Sequence, residues 1–336
     1  MQLSKFPRVE LCHKPTPLER MARLEALLGG PRLWVKRDDC TGLGLGGNKT
    51  RKLEYLIGAA LDAGADTVVT QGAVQSNHVR QTAAAACRFG LKCHVLLERR
   101  VPGQTVSYEA TGNVFLDRLF GAEIEFRPPG LDMNAEAEAA GEQLLAAGAK
   151  PYVIPGGGSN VVGALGYVEC AQELVSQANE QGVSIDWLVH GTGSTGTQAG
   201  LVAGLEGLNS GIKVMGISVR QPQDKQEAAV HDLASKVADH LGVRPSVARE
   251  SVMANGDYVG EGYGLPTEGT REAISVAARQ EGLLLDPVYS GKGMAGMIDL
   301  VRKGYFGKDD DVVFLHTGGS PALFAYEDAG LLMSAG

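Results

Sequence analysis

Three stretches hold side chains that can do chemistry, each at a spacing that gathers them at the start of a helix. In Gly46-Gly47-Asn48-Lys49-Thr50-Arg51-Lys52-Leu53-Glu54-Tyr55, two glycines precede a lysine and what reads as a helix. Glycine lets the backbone turn tightly, and a first helical turn offers unpaired N–H groups and the positive end of the dipole. Lys49 therefore stands where an anion or a carbonyl compound can be held, unless Lys49, Arg51 and Lys52 form only a solvated basic turn. In Gly191-Thr192-Gly193-Ser194-Thr195-Gly196-Thr197, glycines and hydroxyl residues follow the apolar run Trp187–His190 and open a helical pattern. Backbone N–H groups, hydroxyls and the dipole converge there on a phosphate. In Gln71-Gly72-Ala73-Val74-Gln75-Ser76-Asn77-His78, a hydroxyl, an amide and an imidazole again precede a helix, with free N–H donors suited to a carboxylate.

Gly191, Gly193 and Gly196 also spell G-x-G-x-x-G, and Arg220 closes the next strand, where a dinucleotide fold for NADP keeps a partner for the 2′-phosphate. An NADP-binding oxidoreductase is therefore an open alternative, and a non-catalytic sensor or interaction module is another. Late in the chain, Tyr263 lies between Gly262 and Gly264, and Tyr289 lies in Asp286-Pro287-Val288-Tyr289-Ser290-Gly291-Lys292-Gly293. Phenols on such loops can share in proton transfer. His316-Thr317-Gly318-Gly319-Ser320 follows the last strand-like run.

These residues need elements to position them, and the pattern supplies an alternation. Leu33–Lys36, Thr67–Thr70, Cys93–Leu97, Tyr152–Ile154, Trp187–His190, Val214–Val219 and Val312–Leu315 read as buried strands. Alanine-rich amphipathic stretches of helical length lie between them: Lys52–Ala63, Val79–Phe89, Met133–Ala147, Gly166–Gln177, Thr197–Leu205 and Thr270–Gln280. The 46 glycines gather at the ends of the apolar runs. This is an α/β chain with parallel sheets covered by helices, and 336 residues suffice for roughly two domains. Pro155–Asn160 reads as a functional turn or domain crossover.

A net charge of −8 without a basic stripe argues against a nucleic-acid partner. No apolar run has the length of a signal-peptide core or a membrane span, so a cytoplasmic protein acting on a small molecule is expected. The five cysteines show neither paired nor zinc-ligand spacing, and buried free thiols are expected.

Six of these segments together resemble the fold-type-II pyridoxal-phosphate enzymes: Gly46–Glu54, Gln71–Ala83, Val153–Gly166, Gly193–Gly200, Asp286–Gly296 and His316–Tyr326. More narrowly they are similar to the group containing D-cysteine desulfhydrase, L-cysteate sulfo-lyase and 1-aminocyclopropane-1-carboxylate (ACC) deaminase. The resemblance implies a tryptophan synthase β-like fold, with a large domain of residues 1–54 and 161–336, a small domain of 55–160, and pyridoxal phosphate between them. It also implies a homodimer. Lys49 matches the lysine that forms the Schiff base with the cofactor. Gly193, Ser194, Thr195, Gly196 and Thr197 match the phosphate loop, which displaces the NADP reading. Asn77 matches the partner of the ring hydroxyl, and Ser76 and His78 match the turn that receives the substrate carboxylate. Tyr263 and Tyr289 match the two active-site tyrosines, and Ser290 and Thr317 count among the cofactor-binding positions. Lys49 would act as base or acid at Cα, with Ser76, Tyr263 or Tyr289 assisting.

The deaminase pattern has a glutamate where this chain has Ser290. A hydroxyl cannot hold a proton on the pyridine nitrogen as a carboxylate can, so cyclopropane opening becomes the less expected reaction and β-elimination the more expected one. Arg220, near Lys225, replaces a small hydroxyl residue of the desulfhydrases. A guanidinium suits a sulfonate, and about 2–3 kcal/mol from a charge-assisted bond would favour cysteate. The sequence therefore predicts an L-cysteate sulfo-lyase, with D-cysteine desulfhydrase as the alternative.

Overall fold

Two sheets carry the chain in the computed structural model, which describes residues 1–243 and 246–326. The strands are β1 (Leu18–Arg20), β2 (Arg32–Lys36), β3 (Thr67–Ala73), β4 (Lys92–Glu98), β5 (Glu123–Arg127), β6 (Pro151–Ile154), β7 (Ile185–Thr192), β8 (Lys213–Ser218), β9 (Met253–Asn255) and β10 (Asp311–Leu315). One sheet has the order β1-β2-β10-β7-β8-β9, parallel except for the antiparallel edge strand β1. The other has the order β5-β4-β3-β6 and is parallel throughout. The helices are α1 (Ala22–Leu28), α2 (Asn48–Asp62), α3 (Asn77–Arg88), α4 (Gly112–Leu119), α5 (Met133–Ala146), α6 (Val161–Gln181), α7 (Gly196–Gly207), α8 (Gln223–Leu241), α9 (Glu268–Glu281) and α10 (Ser290–Arg302).

Parallel strands are apolar on both faces because helices must cover both. On the six-stranded sheet, α6, α7 and α8 bury Leu174, Leu201 and Val237 on one face, while α1, α9 and α10 bury Leu24, Ile274 and Ile298 on the other. The four-stranded sheet packs Leu56 of α2 and Val79 of α3 on one face, and Met133 and Ala137 of α5 on the other. We propose that residues 55–160, which hold β3 to β6, form the smaller of two domains. α2 begins before that boundary and ends beyond it. No helix among the described residues is long and apolar enough to cross a membrane.

The first turn of α2 is not a solvated basic turn. Arg51 and Lys52 have no solvent exposure. Arg51 donates to Asp38 from Nε at 2.8 Å and from Nη2 at 2.9 Å, and Nη2 also reaches Glu173 at 2.8 Å. Thr16 and Tyr167 donate to Asp38 as well, at 2.8 and 2.6 Å. Gly166 lets α6 touch the backbone of α2, since a Cβ there would lie 2.8 Å from the Lys52 nitrogen. The helix start that presents Lys49 is thus fixed from behind by charge and by close backbone packing. Of the cysteines, Cys93 and Cys170 are buried as expected, whereas Cys40 and Cys87 are exposed.

Candidate active site

The C-terminal ends of parallel strands meet at one cavity of about 320 Å³, as open α/β sheets require of a ligand site. β3 leads into the Ser76 turn, β7 into the Gly193 loop, β8 to Arg220 and β10 to Thr317. Lys49, Ser76, Asn77, His78, Gly193, Ser194, Thr195, Thr197, Arg220, Tyr263, Tyr289 and Thr317 all line it. Gly196 and Ser290 do not.

Gly196 starts α7, and its N–H is spent on Ser194 O at 2.8 Å and Ser159 Oγ at 3.2 Å. The cradle is completed instead by Thr195, whose φ of 64° turns the loop into the helix, and by Thr197, which accepts from Asn48 Nδ2 at 2.9 Å and keeps its own proton. Lys52 also reaches this place. Its Nζ donates to Gly157 O at 3.0 Å and Ser159 Oγ at 3.4 Å, and a Cβ on Gly196 would lie 2.9 Å from it. Burial, and then the neighbouring charge of Lys49, hold the Lys52 amine well below its usual range, and no carboxylate pairs with it among the described residues. A buried amine beside a helix start, with no carboxylate to pair with, is favoured in its charged form once an anion such as a phosphate binds there. Sequence reasoning passed over Lys52, although its i,i+3 spacing from Lys49 places both on one helix face.

Lys49 is the second residue of α2, after Gly47 at φ 127°. Burial pulls its amine down to about 8, close enough to neutral pH for a substantial fraction to be a free nucleophile. A kinetic expectation follows. The rate at which apoenzyme captures an aldehyde cofactor, followed as growth of a visible band, rises about tenfold per pH unit below 8 and flattens above it. A rise continuing to pH 10 would contradict the lowered value.

α3 begins with Ser76 as its N-cap, accepting from Val79 N at 3.3 Å. The Asn77 and His78 N–H groups have no partner among the described residues and can receive a carboxylate. The His78 ring cannot share in this. Thr70 Oγ1 gives its proton to Ile154 O at 2.8 Å, so His78 Nε2 donates to Thr70 at 2.8 Å and Nδ1 is left bare, without a partner. Burial, then the charges of Lys49 and Lys52, keep the ring neutral. Asn77 Oδ1 accepts from Asn113 Nδ2 at 3.0 Å, which turns its own Nδ2 free for a ring hydroxyl.

The Tyr263 and Tyr289 hydroxyls lie 2.7 Å apart. Burial raises both phenols, Tyr289 well above its usual range. Arg100, whose guanidinium sits 5.1 Å from the Tyr263 ring centroid, opposes the rise at both, while the hydrogen bond between the phenols lowers Tyr263 and raises Tyr289, which leaves Tyr263 the more easily ionised of the two. Arg100 is itself held by Glu98, with Nε to Oε2 at 2.7 Å. It lines the cavity and was missed in the sequence, although its place just beyond β4 is the signal that finds it.

Ser290 is fully buried, donates its proton to Asp286 Oδ2 at 2.7 Å and accepts from Asp286 N at 2.8 Å. It braces the start of α10 rather than facing the cavity. Thr317 lines the cavity with its hydroxyl unpaired among the described residues. Arg220 lines the cavity but is exposed, and Lys225, on the exposed side of α8, does not line it at all. The expected pair of cations for a sulfonate is therefore one solvated arginine.

A loop of N–H groups and hydroxyls, a buried lysine of lowered pKa and a free amide around one cavity suit a phosphorylated aldehyde cofactor. The chain belongs to the pyridoxal-phosphate dependent enzymes, whose family model matches residues 9–318, and the NADP alternative falls with that match. D-cysteine desulfhydrases of Salmonella typhi and Salmonella newport (strain SL254) are each 44% identical over 324 residues, 96% of this chain and 97% of theirs. The crystal structure of an ACC deaminase homologue superposes with a TM-score of 0.89 at 40% identity, covering 98% of this chain and 97% of that one. O-ureido-L-serine synthase, at 16% identity, TM-score 0.67, and coverage of 96% and 94%, shares the fold alone.

Proposed function

We propose that this protein is a carbon–sulfur lyase that converts D-cysteine and water to pyruvate, ammonia and hydrogen sulfide. The observation that carries the reading is the absence of any carboxylate from the cavity lining among the described residues. When bound, pyridoxal phosphate acidifies the Cα–H bond of the amino acid joined to it, and a carboxylate at the pyridine nitrogen would deepen that electron sink. Cyclopropane opening leans on the sink, whereas a sulfur on Cβ takes the bonding electrons as it leaves. The relatives at 44% identity, named D-cysteine desulfhydrase, support sulfide over sulfite as the product.

The residues divide the work. The start of α3, with the Ser76 hydroxyl, holds the substrate carboxylate. Lys49, which would hold the cofactor, moves the proton at Cα. The Tyr263–Tyr289 pair meets the sulfur side, with Tyr263 as the phenol that gives or takes a proton.

Cysteate is kept as a second reading by Arg220 alone. Exposed, that arginine offers a sulfonate only about 0–1 kcal/mol, rather than the 2–3 expected of a desolvated one. The test compares kcat/KM for D-cysteine and L-cysteate in wild type and Arg220→Ala, with sulfide and sulfite read separately. D-cysteine is expected to be at least about tenfold the better substrate, and the substitution to cost cysteate no more than about fivefold. A wild type that prefers cysteate and releases sulfite would restore the sulfo-lyase.

A further inference from the structure

Lys292 has no solvent exposure, and no carboxylate pairs with it among the described residues. Its Nζ donates to two main-chain carbonyls, Val259 O at 2.6 Å and Gly262 O at 2.7 Å. Burial draws the amine down to about 8. Burying an ammonium this way is costly, and a methionine of similar length would fill the space without the cost. The two carbonyls point to what the charge does. They belong to the loop between β9 and α9, in which Gly260, Gly262 and Gly264 have φ of 65°, 152° and 75° and which presents Tyr263 to the cavity. Gly262 O also accepts from Leu265 N at 3.3 Å, so the same oxygen closes the turn around Tyr263.

Lys292 stands in the first turn of α10, three residues after Tyr289, whose carbonyl accepts from Gly293 N at 2.9 Å. A single helical turn thus carries Tyr289 on its own backbone and grips the loop bearing Tyr263 through one side chain. The two hydroxyls it brings together are 2.7 Å apart. We infer that Lys292 is the positioning residue of the tyrosine pair: its ammonium staples the 256–266 loop to α10 and so sets the Tyr263–Tyr289 contact. The inference rests on the reading of Tyr263 as a proton carrier.

The test is a double-mutant cycle on kcat and KM for D-cysteine, with the visible cofactor band as a check on loading. Tyr263→Phe is expected to lower kcat about 100-fold and Lys292→Met about 30-fold, the latter with the band retained and KM changed less than about threefold. The double mutant should match Tyr263→Phe within about twofold, because no hydroxyl is left to position. Where Lys292→Met does not fold, Lys292→Gln, whose amide can still donate to a carbonyl, carries the same comparison with a smaller loss. Multiplicative losses overturn the inference, since the lysine then supports the fold at large. A wild-type kcat in Tyr263→Phe overturns the proton-carrier reading and the inference with it.

Discussion

Lys49→Ala is expected to lower kcat by about 10³- to 10⁴-fold or more and to remove the borohydride-sensitive visible band. The Gly193–Thr197 loop and Lys52 are untouched by the change, so the variant should still bind pyridoxal phosphate without the covalent link. The loss therefore falls on chemistry rather than on affinity. Spectra and turnover of the purified variant, with cofactor added in excess, measure both parts. Wild-type turnover, or a retained band, would place the reactive amine elsewhere.

The largest loss of stability is expected from Arg51→Met. The substitution leaves Asp38 fully buried without the cation that holds it, and Glu173, nearly buried, with Lys36 alone. Removing one partner of such a pair costs about 3–5 kcal/mol. For a chain of this size that is a fall in Tm of roughly 10 °C, read by calorimetry. A shift below about 2 °C would show that the network is dispensable. The same network sets an acid limit. Burial pushes the Asp38 and Glu173 carboxyls up, but Arg51 and Lys36 together, with the Tyr167 hydroxyl at Asp38, outweigh it and both end below their usual range. Their folded pKa values are lower than the unfolded ones, so the unfolded chain binds more protons as pH falls. The stabilisation is complete above the ordinary carboxylate range and is lost as pH falls below about 4.

Where a strand is buried on both faces, its residues announce it. β3, Thr67–Ala73, is buried along its whole length, and its first four residues, Thr67–Thr70, read as a buried strand in the sequence. The edge strands β1, β5 and β9 carry no such mark. β5, Glu123–Arg127, alternates exposed and half-buried residues, and β1 and β9 are three residues each, too short for a period to form. α8 has its apolar stripe, Val230, Leu233, Ala234, Val237 and Ala238, but an outer face rich in charge conceals it. That helix also explains why Lys225 does not reach the cleft: it lies on the solvent side of the first turn.

The site was legible where chemistry follows backbone. The Gly193–Thr197 loop and the Ser76-Asn77-His78 turn follow from helix starts after strands, and Lys49 from a helix start after a glycine turn. What the sequence conceals is which atoms are already spent. Ser290 stands where the deaminase pattern has its glutamate, yet its hydroxyl belongs to Asp286. His78 belongs to its turn through the main chain, while its ring is committed to Thr70. Arg220 stands at a strand end as expected, and only the folded surface shows that it is solvated.

One measurement bears most directly on the claim that the Lys49 cavity is where the carbon–sulfur bond of D-cysteine breaks. Purified yellow protein is assayed for pyruvate and sulfide from D-cysteine, reduced with borohydride, assayed again, and mapped by mass spectrometry for the pyridoxyl-modified lysine. Equimolar pyruvate and sulfide before reduction, neither after it, and modification at Lys49 are the results expected. Modification at Lys52 or another lysine, or turnover that survives reduction, would contradict the account.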